Sequence, residues 1–186
     1  MHECQLPRLD RARAQLLVVD IQERLLPHIT DHENLVAQSA TMIRAAAALE
    51  VPVTISEQYR RGLGATTPAV EEAAGDAPHI EKMTFSCCQD QACRARLADL
   101  LRPQVLLIGI ETHVCVQQTA LDLLSMQMQP IVLADAVGSR RPLDYNIALE
   151  RMRSAGAIIT TVESAIFQMV RESGTELFKR ILPLVK

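Results

Sequence analysis

The sequence predicts a three-layer α/β/α domain, doubly wound around a mainly parallel sheet of about six strands. Three observations carry that prediction. Short apolar runs alternate with longer helical patterns from one end of the chain to the other. The apolar share is 48% while aromatics make up only 3%, so Leu, Val, Ile and Ala must build the core. Such a core suits strands buried on both faces by right-handed crossover helices. At 186 residues the chain has the size of a single domain, 1–186, able to bury a core on two sides.

Residues 16–19 read as a buried first strand that ends at Asp20. Asp31 is placed to cap the next helix, which runs through an alanine-rich stretch to Leu49. A second strand covers 51–55, with Pro52 tolerated near its start. The segment 57–68, rich in Gly, Arg, Thr and Pro, reads as a loop over the site. A short third strand at 79–82 precedes a helix over 90–101. The clearest strand is 105–110, followed by a helix from about 113 to 126. Two more strands, 131–134 and 157–160, flank a helix over 144–154 that Gly156 closes. A final helix at 175–182 stops at Pro183.

Nineteen basic residues face twenty-two acidic ones with no long run of one sign, which argues against nucleic acid or an anionic membrane as partner. No apolar stretch is long enough to cross a bilayer. Residues 1–7 lack the basic-then-apolar pattern of a signal peptide. Five cysteines form no repeated CxxC pairs and indicate no disulfide framework, so a cytoplasmic setting is predicted.

In a doubly wound fold the ligand sits beyond the carboxyl ends of the strands, where strand order reverses. Asp20 terminates the first strand and Cys115 lies just beyond the fourth. A thiol in the first turn of a helix is favoured as thiolate by the dipole, and unpaired N–H groups there can receive an oxyanion. Taken alone, Cys115 is a small buried apolar residue and Asp20 a turn carboxylate. Their coincidence at two strand ends points to a site.

Three segments carry a family resemblance: Leu-Leu-Val-Val-Asp20-Ile-Gln22, Glu81-Lys82-Met83-Thr84-Phe85-Ser86 and Gly-Ile-Glu-Thr-His-Val-Cys115-Val. Together, in this order and spacing, they resemble the isochorismatase-like cysteine hydrolases. The resemblance implies an Asp-Lys-Cys triad on Asp20, Lys82 and Cys115. By itself Lys82 would read as an ordinary solvated lysine. The implied chemistry is hydrolysis of a small amide or acyl substrate through a thioester, with Asp20 as base and then acid. The resemblance also implies an oxyanion turn with a non-proline cis peptide at Ile110–Glu111, extending to Val114. By position, Gln22, Glu57, Gln58, Tyr59, Phe85 and Thr112 are the candidate pocket residues.

The sequence departs from two branches of that family. Nicotinamidases hold a metal through an Asp-x-His pair after the second strand, whereas Ser56-Glu57-Gln58-Tyr59-Arg60-Arg61 has no histidine. The five histidines are scattered without ligand spacing, so neither a metal nor another cofactor is predicted. Isochorismatases that cleave a vinyl ether lack the cysteine. The segment Glu57 to Thr66 looks most like the metal-free isochorismatase domain-containing proteins. Homo-oligomerisation is implied, and the final helix and 166–170 are candidates to cover a partner subunit. Two other readings stay open: a protein that keeps the fold and binds a small molecule or partner without turnover, and a thiol-based redox protein. The latter lacks a resolving cysteine at CxxC spacing.

Overall fold

The structure, a computed structural model, describes residues 8–186. His2 and Cys4 therefore lie outside the described residues. Among the described residues, six parallel strands form one sheet: β1 (Ala14–Val19), β2 (Val53–Gln58), β3 (His79–Lys82), β4 (Gln104–Ile110), β5 (Gln129–Gly138) and β6 (Ile158–Thr160). Their spatial order is β3-β2-β1-β4-β5-β6. The chain thus winds outward from β1 to β3, returns to the centre, and winds the other way. The reversal falls between β1 and β4, and these two strands are buried along their whole length. That is why they read as unbroken apolar runs rather than as alternating ones.

Among the described residues, eight α-helices accompany the sheet: α1 (His32–Ala48), α2 (Arg60–Leu63), α3 (Pro68–Ala74), α4 (Gln91–Asp99), α5 (Gln117–Ser125), α6 (Pro142–Ala155), α7 (Val162–Val170) and α8 (Glu176–Ile181). Alternate strand residues feed two cores. Leu16, Val18, Leu106 and Ile108 meet α1 and α7 on one face, and Leu17, Val19, Val105 and Leu107 meet α4 and α5 on the other. Among the described residues, no helix is long and apolar enough to cross a membrane.

Several elements differ locally from the sequence reading. Asp31 does occupy the start of α1, but it adopts a left-handed conformation and its side chain makes no capping bond. Asp90 and Thr175 are true caps, accepting from the N–H groups of Cys93 and Phe178. The segment after β2 is not loop throughout, because α2 and the start of α3 lie within it. Residues 166–170 belong to α7, whose Ala165, Ile166 and Met169 are buried in this chain's own core. They do not form a free face for a partner. Nine residues carry too short a periodic signal to separate a buried helix from an apolar surface strip.

Candidate active site

The carboxyl ends of β1, β2, β3 and β4 meet at one place. Asp20 follows β1 directly, Ser56 lies near the end of β2, and Lys82 is the last residue of β3. One strand, β2, separates the strand of Lys82 from that of Asp20, so the lysine side chain must reach across it. The register makes that possible. Gln58 pairs with Lys82 and Ser56 with Ile80, which puts Ser56, Gln58 and Lys82 on one sheet face. A serine on that face leaves room for the lysine to pass.

Lys82 Nζ donates to Asp20 Oδ2 at 2.7 Å, and neither side chain has any solvent exposure. Three further oxygens surround the ammonium: Gln58 Oε1 at 2.7 Å and the carbonyls of Thr84 and Phe85 at 3.2 Å each. Burial by itself pushes the lysine toward its neutral form. The negative charge of Asp20, with further help from the two nearby thiol groups and the hydrogen bond, carries it above the ordinary lysine value. The other carboxylate oxygen, Asp20 Oδ1, accepts from Ser56 Oγ at 2.7 Å.

Cys115 sits in a π-helical turn, Thr112–Val116, between β4 and α5. The peptide between Ile110 and Glu111 is cis. Within the turn, the Val114 and Val116 N–H groups both donate to Glu111 O, so the Val114 N–H is not free for a ligand. The thiol is only 6% exposed. Its pKa lies well above the ordinary thiol value, first because it is buried and next because of the Asp20 charge, with a side-chain hydrogen bond to Asp20 adding to both. Lys82 opposes this without reversing it. A depressed thiol pKa, expected from the helix dipole, is therefore not what the surroundings produce. Dehydration and the adjacent carboxylate outweigh one helix terminus.

A second thiol shares this environment. Cys87, in the short 3-10 turn Cys87–Gln89, is fully buried, and its Sγ lies 3.5 Å from Ser56 Oγ. A hydrogen bond with Cys93 outweighs burial and lowers its pKa.

The six candidate pocket residues separate into framework and rim. Gln22 is buried and pins the end of β2, accepting from Gln58 N at 2.8 Å and donating to Gln58 O and Gly64 O. Glu57 points to the opposite sheet face, where Oε1 accepts from both Thr66 N and Thr66 Oγ1 and Oε2 pairs with Arg60. Gln58 holds Lys82. Tyr59 and Phe85 are exposed at 44% and 55% and stand beside these groups. Thr112 is fully buried, and its hydroxyl has no hydrogen-bond partner among the described residues. Glu111 is turned aside by Arg140, whose backbone N–H and Nε both donate to its carboxylate. A separate cleft of about 280 Å³, between the starts of α1 and α6, is lined by none of Asp20, Lys82 or Cys115.

Glu57 gives a testable statement about this scaffold. Burial raises its pKa, but the Thr66 hydrogen bonds, Arg60 and His79 together bring it below 4.5. A carboxylate depressed on folding adds stability at neutral pH and loses it as pH falls through the folded value. Glu57→Gln should cost about 1.5–3 kcal/mol at pH 7, the range for a hydrogen-bonded charge. The difference from the parent should shrink on acidification, read by urea midpoints at pH 7 and pH 4. A gap that stays constant with pH would show that the charge contributes nothing.

Comparison with known proteins identifies the family. Residues 14–164 match the isochorismatase domain. The secreted isochorismatase effector Isc1 of Phytophthora sojae is 40% identical over 97% of this chain and 88% of its own length. Isochorismatase domain-containing protein 2A of Mus musculus is 40% identical over 92% of this chain and 82% of its own. Among solved structures, the MAR1 ribonuclease of Caenorhabditis elegans superposes with a TM-score of 0.91 at 36% identity, covering 96% of this chain and 92% of that one. With residues 14–164 inside that domain and relatives at 36–40% identity over nearly the whole chain, the chain belongs to the isochorismatase family.

Proposed function

We propose that the chain is a cysteine hydrolase of small amide or acyl substrates, with Cys115 as nucleophile, Asp20 as proton carrier and Lys82 as the charge that holds Asp20. One observation carries this reading: a buried carboxylate is gripped by an ammonium on one oxygen and stands near enough to Cys115 for its charge to hold that thiol protonated. A thiol held neutral at rest needs a base beside it when substrate arrives, and Asp20 is that base. Asp20 takes the Sγ proton as sulfur bonds to the acyl carbon. The proton then passes to the leaving nitrogen as its bond to carbon breaks. Water, deprotonated by Asp20, hydrolyses the thioester and releases Cys115 with its proton restored. Free N–H groups of the turn after Ile110 receive the oxyanion. Tyr59 and Phe85 form the rim through which a small substrate enters.

The four described cysteines are unpaired, which supports a reducing, cytoplasmic setting. Leu143 and Ile147, one turn apart on α6 and 71% and 55% exposed, support contact with a second copy.

The test uses p-nitrophenyl acetate and p-nitroacetanilide, with adducts mapped by mass spectrometry. Native protein should acquire an acetyl group on Cys115 from either, and Cys115→Ser on that position from neither. Asp20→Asn removes the proton carrier but leaves Lys82 free to pair with the thiolate. The ester, whose leaving group needs no proton, should therefore still react. The anilide should slow by about 10²-fold or more, the range for a lost general acid. No adduct on Cys115 would overturn the reading in favour of a binding protein, and RNA cleavage without an adduct would favour the activity named for the nematode neighbour.

A further inference from the structure

The proposed reaction asks Asp20 to be a carboxylate at one moment and a carboxylic acid at the next, in a place closed to solvent. Its surroundings must satisfy both forms. Lys82 cannot do so alone, because an ammonium only donates. Ser56 is different. Its hydroxyl lies 2.7 Å from Asp20 Oδ1, 3.4 Å from the Val18 carbonyl oxygen and 3.5 Å from Cys87 Sγ. It is fully buried, so bulk water does not supply it with other partners.

A hydroxyl has one hydrogen and two acceptor lone pairs, and it rotates to suit its neighbours. With Asp20 ionised, Ser56 donates to Oδ1 and accepts from the Cys87 thiol. With Asp20 protonated, the acid proton on Oδ1 donates to Ser56 Oγ, and the serine hydrogen turns to Val18 O. In both arrangements each polar atom keeps a partner, and no heavy atom moves. We infer that Ser56 is a positioning residue whose hydroxyl rotates between Asp20 and the Val18 carbonyl, matching the two protonation states through which Asp20 passes. The inference rests on the reading of Asp20 as proton carrier and adds a residue to which the sequence reading gave no role.

The titratable groups facing Asp20 are Lys82 from β3, Cys87 from the turn before α4, and Cys115 from the turn after β4. Lys82 and Cys115 make no hydrogen bond to Ser56, whereas Cys87 does, at 3.5 Å, which is why the Asp20 carboxyl is also followed directly. Removing the serine hydrogen takes a donor from the carboxylate and an acceptor from the acid. The first loss is larger, since hydrogen bonds to ionised groups are roughly twice as strong as neutral ones.

Ser56→Ala should therefore move the acid limb of Cys115 acylation by p-nitroacetanilide upward by about one pH unit, a tenfold change in the protonation equilibrium. The maximal rate should fall several-fold with little change in KM. Ser56→Cys, close in size but a poor donor, should move the limb the same way, and Ser56→Thr should restore the parent profile. Carbon-13 NMR of the Asp20 carboxyl should report the same ordering without any substrate. A limb and carboxyl titration unmoved in Ser56→Ala and Ser56→Cys would overturn the inference. If the carboxyl titration moves as expected but Cys115 is never acylated, the inference about Asp20 stands and the hydrolase reading fails instead.

Discussion

Replacing Lys82 by methionine should lower the unfolding free energy by roughly 3–5 kcal/mol, the usual cost of removing one partner from a buried ion pair. The reason is local. Asp20 has no exposure, and the ammonium at 2.7 Å is its only cationic partner among the hydrogen bonds it makes. Without it, the carboxylate is stranded in an environment that solvates it poorly, and the oxygens of Gln58, Thr84 and Phe85 lose their common donor. The pair as a whole is a different matter, because the attraction between two buried charges largely offsets what dehydrating both of them costs. Asp20→Asn combined with Lys82→Met should therefore recover most of the loss, since the charge pair is gone and Asn can still accept from Ser56. The double variant should be stable but inactive toward the anilide. Urea unfolding of the parent, both single variants and the double variant closes the cycle. Strictly additive single effects would mean that the two charges do not act on each other in the folded chain.

A comparably large effect should follow from Gly109→Ala. Gly109 lies in β4 opposite Val19, next to a register shift in the pairing with β5. Its φ is +122°, and a Cβ built there would stand 2.0 Å from the Val19 carbonyl oxygen. The three nearest atoms, Val19 O, C and N, are all backbone, so no side-chain rotation relieves the clash. A strained conformation alone costs on the order of 1–3 kcal/mol. With the clash added, the loss should exceed about 4 kcal/mol, the range reserved for exceptional substitutions. Thermal melting should show a sharply lowered transition or no folded protein. An alanine variant with parent-like melting would mean that β1 and β4 are able to separate at the very point where Asp20 leaves the sheet.

How much of this was readable in the sequence depended on whether a feature was local. Asp20 and Cys115 stand at the ends of apolar runs, and a doubly wound sheet brings such ends together. Lys82 had no such signal and came only from family likeness. Its role arises from reaching over β2, and that depends on a register that no local pattern encodes. Ser56 had no signal of its own, being one of four polar residues in the strand segment Val-Thr-Ile-Ser-Glu-Gln. Its partner atoms come from β1 and from the turn before α4, so its contacts could not be read. Cys87 was obscured by the adjacent Cys88, whose thiol burial pushes up to about 12 while Cys87 moves the other way. Gln22 and Glu57 looked like pocket residues because they follow strand ends. The sheet pleat sent one into a strut and the other to the far face.

The lysine that spans a whole strand to reach its carboxylate also has a historical consequence. Because in the proposed reaction the same contact serves both fold and chemistry, a lineage abandoning that activity cannot shed its working parts one at a time without first passing through a weakened protein. Decay of function along this architecture should proceed by paired replacement, with both charges exchanged for neutral groups in close succession. A descendant that keeps only one of them would need a new counter-charge nearby, and finding that counter-charge would distinguish a repurposed site from a merely silent one.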